Sequence, residues 1–317
     1  ALGAEILFQG DIRGGVAVDA SAVDVSALTG ETVAAGVPLQ IMIPSTATIT
    51  QAFLILHAKP DGFAVTDEAI RINGTDLTFA TFVEGSDVTE VYSLTPSLFG
   101  ITAAGTATYQ EEGEAEGGFH FGTGVHGATL AVVYEDYTLH GRRHVVIATD
   151  NVSEGASIIT GLPEAEAIDS AVISYGITNE CANDQANFAI VNSVTISSTV
   201  GGSDDGPGYS GTCGGQDWNT LLSQGSFGVD DTDTMVGVDG DVLDGPPSGG
   251  TSTNSRLDDE LYRIEYDRSG DLSIGYSDSA EDSQLTVIVA AFSSGGTCTP
   301  ARGCCAASRW HCCTLLA

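Results

Sequence analysis

The densest potential chemistry in this chain is a run of acidic turns. Ser203-Asp-Asp-Gly206 and Val229-Asp-Asp-Thr-Asp233 come first, then Asp239-Gly-Asp241 with Asp244, then Asp258-Asp-Glu260. Hard carboxylate oxygens on Gly-rich turns, where backbone carbonyls can converge as well, are the donor set that Ca²⁺ takes. Asp230, Asp231, Asp233, Asp239, Asp241 and Asp244 are therefore candidate calcium ligands. Their spacing is not that of an EF-hand. Without cations so many carboxylates on one segment repel one another, and a solvated acidic loop is the competing reading.

Other constellations carry less. Gly122-Thr-Gly-Val-His-Gly127 has the letters of a dinucleotide fingerprint, but a strand-like run follows it where a helix N-terminus would have to meet the pyrophosphate. A hairpin turn is the better reading. His120, His126, His140 and His144 cluster, with His57 earlier. Only His140 and His144 have the spacing of a helical zinc pair, and they straddle a Gly-Arg-Arg turn with no acidic base between them. Gly208-Tyr-Ser-Gly211 lacks the spacing of a nucleophile elbow. Trp218, Tyr209 and Asp217 have the types that hold sugars, an aromatic face for stacking and a carboxylate for hydroxyls; Trp218 as a plug beneath the loop is the plainer alternative.

Seven cysteines add a redox argument. Cys181 and Cys213 flank a loop-rich segment and are natural partners, while Cys298, Cys304, Cys305, Cys312 and Cys313 crowd the C-terminal end. Such a cluster suits disulfides in an oxidising exterior, within the tail or between subunits. The vicinal pairs with His311 are also the donor set of a soft metal. An odd total leaves one thiol free or bridges to another chain. Asn73-Gly-Thr75 and Asn151-Val-Ser153 are glycosylation sequons, placing Asn73 and Asn151 among modification candidates.

The elements that must position these groups read as strands. Short apolar or alternating runs recur at Glu5–Phe8, Val16–Val18, Leu39–Ile43, Ala52–Leu56, Ala69–Ile72, Ala128–Tyr134, His144–Ala148, Ala171–Tyr175, Phe188–Ile196, Leu261–Tyr266, Leu272–Tyr276 and Leu285–Phe292. Gly, Asp, Ser and Thr clusters separate them, and no helical period is sustained. An all-β chain of two tandem, jelly-roll-like β-sandwiches is expected, because each sheet must bury a face against another. A polar-then-Ala strand opens each half, Ile49–Leu56 and Ile168–Tyr175, and a continuous apolar strand closes it, Leu130–Tyr134 and Leu285–Val289. That order predicts an internal duplication. The expected units are a strand segment over 1–20, sandwiches over 21–160 and 161–295, an acidic Gly-rich insertion over 201–259, and a Cys-rich tail over 296–317. Residues 4–20 hold two strand-like pieces around Gly14-Gly15. They either complete a neighbour's sheet or pair within the first sandwich.

Lys59 is the only lysine, and 10 basic against 43 acidic residues leave a net charge of −33. Nucleic acid phosphates and anionic lipid are repelled by such a chain. No run is long enough for a helical membrane span. The N-terminus shows no basic-then-apolar leader, so a signal peptide is expected to be absent or removed.

Several motifs together resemble a known group: Gly10-Asp-Ile-Arg-Gly-Gly15, His126-Gly-Ala-Thr-Leu-Ala-Val-Val-Tyr-Glu-Asp136 with Arg143-His-Val-Val, Gly206-Pro-Gly-Tyr-Ser210, Asp217-Trp-Asn219 and Asp258-Asp-Glu-Leu-Tyr262. Over residues 10–292 the chain is similar to an uncharacterised family of secreted bacterial and archaeal surface-protein β-domains. The resemblance implies a cell-surface or extracellular location and no known activity. The expectation is a non-catalytic structural subunit of an extracellular assembly, a filament, pilus-like fibre or surface layer whose partners are copies of itself. A calcium-dependent adhesin or glycan-binding module is the alternative.

Overall fold

A computed structural model describes residues 4–22, 37–58, 70–77, 82–85, 89–102, 106–111, 125–138, 142–152, 154–160, 162, 169–180, 187–200, 221–238, 261–266, 271–277 and 284–293. Among the described residues every regular element is a strand. The first ten are β1 (Glu5–Ile12), β2 (Gly14–Ala22), β3 (Val37–Gln40), β4 (Thr48–Ala58), β5 (Ile70–Ile72), β6 (Thr75–Asp76), β7 (Phe82–Gly85), β8 (Thr89–Leu94), β9 (Thr106–Glu111) and β10 (Val125–Glu135). Next come β11 (Arg143–Val152), β12 (Glu154–Ile159), β13 (Asp169–Glu180), β14 (Asn187–Val191), β15 (Val194–Val200) and β16 (Leu221–Gln224). The last are β17 (Phe227–Val229), β18 (Met235–Gly237), β19 (Leu261–Tyr266), β20 (Leu272–Ser277) and β21 (Gln284–Ser293).

They form four sheets. The first inner sheet runs β18-β17-β2-β10-β4-β8-β7, and the first outer sheet runs β3-β9-β5-β6. The second inner sheet runs β1-β11-β21-β13-β16, with β19 also on β13, and the second outer sheet runs β12-β20-β14-β15. All pairings are antiparallel, from β10 against β2 and β4 to β21 against β11 and β13. Strand order therefore recurs: β2-β10-β4-β8 in one inner sheet has the same path as β11-β21-β13-β19 in the other. The outer sheets match in the same way, down to a hairpin at one edge of each.

Side-chain alternation explains how the sheets stack. Val146, Ala148, Ile173, Tyr175, Ile288 and Phe292 share a core with Ile159, Leu272, Ile274 and Tyr276 of the second outer sheet. The intervening residues Val145, Ile147, Val172, Val287, Val289 and Ala291 belong instead to the core of the first inner sheet. Both inner sheets are thus covered on both faces, which is why β10 and β21 read as unbroken apolar runs rather than as alternating ones. Each fully buried Leu or Ile here contributes about 1.5–3 kcal/mol.

Strand pairing crosses residue 160, because β11 and β12 pair with β21 and β20. It also exchanges edges between the halves. β1 lies on β11 in the second inner sheet, although only Arg13 separates it from β2 in the first. In return β17, from the C-terminal half, meets β2 at Phe227 and Val18. The run Phe188–Ile196, read in sequence as one strand, folds back on itself at Asn192-Ser193 into β14 and β15. Both turn residues have positive φ, 48° and 65°, the twist a tight hairpin needs.

Candidate functional site

The acidic turn between β17 and β18 is the part of the candidate calcium segment that lies among the described residues. Here each carboxylate has its own protein donor. Asp230 Oδ1 accepts from the backbone N–H of Thr232 (2.8 Å) and Thr234 (3.0 Å) and from the Thr232 hydroxyl (2.7 Å). The Thr232 hydroxyl, then these N–H groups, hold the Asp230 carboxyl below the usual carboxylate range. Asp231 Oδ1 accepts from the Ser45 backbone at 2.7 Å, pinning the turn to the loop before β4. Asp233 Oδ1 accepts from Arg143 Nη2 at 2.5 Å. Each of the three carboxylates makes a contact within the fold, and no group of three His, Cys, Asp or Glu side chains able to hold a metal occurs among the described residues. Asp239, Asp241 and Asp244 lie outside them, as do Tyr209, Asp217 and Trp218 and all of Cys181, Cys213, Cys298, Cys304, Cys305, Cys312 and Cys313.

Arg143 organises the seam between the inner sheets. Its guanidinium donates to the carbonyls of Gly14 (2.9 Å) and Asp233 (3.1 Å) as well as to the Asp233 carboxylate, with 5 % of the side chain exposed. One fork thereby joins β11, the β1–β2 junction and the β17–β18 turn. The glycines at that junction make room for β10. A Cβ on Gly15 would sit 2.7 Å from the Tyr134 hydroxyl, whose buried phenol is pushed up in pKa by desolvation. On β11, His144 faces Asp11 of β1 at 3.1 Å; this histidine binds a neighbouring strand, and His140 lies outside the described residues.

Asn73 sits at φ 49°, followed by Gly74 at 73°, in the β5–β6 hairpin. It is exposed, and its amide donates to the Phe99 carbonyl at 2.8 Å. Asn151 lies in β11.

A second constellation is entirely buried, and no sequence motif unites its members. His57 on β4 is within 3.0 Å of the Thr286 hydroxyl through Nδ1 and 2.8 Å of the Thr129 hydroxyl through Nε2. Thr129 on β10 is in turn 2.5 Å from the Gln224 carboxamide, whose other end lies 3.2 Å from Ser174 Oγ on β13. Thr286 donates to the Gly176 carbonyl at 3.1 Å. All five side chains are 0 % exposed, between the two inner sheets. Two bulges shape the site. Val287 pairs with Gly176 and Leu285 with Ile177, so Thr286 is the extra residue and turns its hydroxyl inward. The pairing of β10 with β4 likewise skips from Val125 to Gly127 beside His57. Gly176 is required for space: a Cβ there would lie 2.8 Å and 3.1 Å from the Gln224 carboxamide oxygen and carbon. The signal in the sequence was polar residues inside apolar strands, His57 after Leu54–Leu56, Thr129 in Ala128–Tyr134 and Thr286 in Leu285–Phe292.

Compared with protein-family models, with curated proteins and with solved structures, the chain matches none.

Proposed function

We propose that this chain is a non-catalytic structural subunit of an extracellular assembly, built as two tandem β-sandwiches from a duplicated unit. Each sandwich is one inner with one outer sheet, and the recurring strand order supports the duplication. The observation that carries the assembly reading is the placement of β1. It is an edge strand, half-buried along much of its length, in a sheet other than that of β2, to which Arg13 alone links it. The β1 of a neighbouring copy would make the same hydrogen bonds to β11, so exchange joins subunits without new chemistry. The acidity of the chain fits a salt-rich exterior where cations screen self-repulsion. Negative-stain microscopy and light scattering of concentrated native protein are expected to show end-to-end polymers. A single monomeric species at all concentrations, unchanged after partial unfolding and refolding, would rule the reading out.

Calcium belongs to the same proposal, with Asp230, Asp231, Asp233, Asp239, Asp241 and Asp244 as its candidate ligands; Asp230, Asp231 and Asp233 each also accept from a protein donor. Adding millimolar Ca²⁺ to chelator-treated protein is expected to raise the melting temperature by several degrees, as mass action requires for an ion bound to the native state. Coincident melting curves would remove calcium from the account.

A further inference from the structure

We propose that Thr129 and Gln224 join through an intramolecular ester, formed once by the folded chain with His57 as the base. The reacting groups are in reach of one another: Thr129 Oγ1 lies 2.5 Å from Gln224 Oε1, the oxygen on the carbonyl carbon it would attack, and 2.8 Å from His57 Nε2. A hydroxyl, an imidazole and an electrophilic carbonyl carbon in sequence are the parts of nucleophilic acyl transfer.

Proton bookkeeping fixes the roles. Thr286 gives its one hydroxyl proton to the Gly176 carbonyl, so it accepts from His57 Nδ1–H. A neutral imidazole with Nδ1–H leaves Nε2 as an acceptor for the Thr129 hydroxyl. The Thr129 hydroxyl proton then lies between His57 Nε2 and Gln224 Oε1, and the Gln224 NH₂ donates to Ser174 Oγ. In that arrangement each group faces the atom it must serve. Thr286 orients the base, and Ser174 holds the amide nitrogen that is to leave.

The step balances without a co-reactant. Thr129 Oγ1 attacks the Gln224 carbonyl carbon while His57 Nε2 takes its proton. The tetrahedral intermediate expels the amide nitrogen, to which His57 returns that proton, and ammonia leaves. One C–O bond forms and one C–N bond breaks, with no change of oxidation state. Burial supplies what an ester usually lacks. Water is excluded from the finished bond, and the preset contact replaces a bimolecular encounter. Gly176 keeps the carboxamide free of a side chain that would otherwise displace it. The cross-link ties positions 95 residues apart, joining β10 of one inner sheet to β16 of the other.

Intact mass spectrometry of the reduced full-length protein tests this directly. The wild-type chain is expected to weigh less than its sequence by about 17 Da, one ammonia lost in acyl transfer. Peptide mapping should recover a single branched species holding both Thr129 and Gln224, resistant to reductant and split by hydroxylamine. Thr129→Val and His57→Phe are expected to abolish the deficit, whereas Thr129→Ser keeps it. The wild-type measurement needs no variant to fold. A full sequence mass with separate Thr129 and Gln224 peptides overturns the ester. So does a deficit that maps to Asn73-Gly74, where a succinimide would also lose ammonia. Neither result depends on whether the chain polymerises.

Discussion

Gly14→Val is expected to destabilise the fold severely. Gly14 sits at φ +152°, and a Cβ built on it would lie 2.1 Å from the Tyr134 carbonyl oxygen and 2.9 Å from Glu135 Cα. Those atoms belong to the backbone of β10, paired with Gly14 itself through Glu135, so no side-chain rotation relieves the clash. Moving β10 would disturb its ladder with β4 and the Arg143 bond to the Gly14 carbonyl. A cost above about 4 kcal/mol follows, a large share of the stability of an ordinary domain. Gly74→Ala is the control. Its φ of +73° is also unfavourable for a side chain, but nothing lies within 4 Å of the added carbon. It should cost about 1 kcal/mol. Urea midpoints by fluorescence distinguish them; comparable midpoints for both variants would show that the seam tolerates far more movement than its contacts suggest.

Arg143→Leu is expected to cost about 3–5 kcal/mol, because truncating a buried ion pair strands the partner and leaves two carbonyls without their donor. Packing area is largely kept, so the loss is electrostatic. Arg143→Lys should recover only part of it, since one ammonium cannot span the Gly14 carbonyl and Asp233 as a guanidinium does. Asp233→Asn in the Arg143→Leu background should then have little further effect, a strong coupling in a double-mutant cycle measured by urea unfolding. Additive losses would show that Arg143 acts by filling space.

Much of the sheet structure was legible locally. The runs at Ala52–Leu56, Ala128–Tyr134 and Leu285–Phe292 lie within β4, β10 and β21, since β-branched and aromatic residues bounded by Gly and Asp fix a strand without outside help. Pairing was not legible. Nothing in Glu5–Ile12 announces that its partner is β11, because register between strands far apart is set by which faces remain to be buried. For the acidic turn, composition identified carboxylates as ligands in search of donors but could not show which donors. Ser45 and Arg143 lie 186 and 90 residues away from the aspartates they serve. His57 was noticed only as one histidine among several. Its meaning depends on Thr129, Thr286 and Gln224, which only two stacked sheets bring together.

The crossed placement of β1 has a consequence for how the chain is made. Among the described strands a ribosome delivers β1 first, yet its partner β11 appears some 130 residues later, and β21, which lies beside β11 at the heart of the same sheet, is the last to emerge. For most of synthesis both central sheets expose naked apolar faces. Such long-range closure is slow and prone to mispairing. Translocation in an extended state, with folding postponed until the whole chain is through, would spare the nascent polypeptide that hazard.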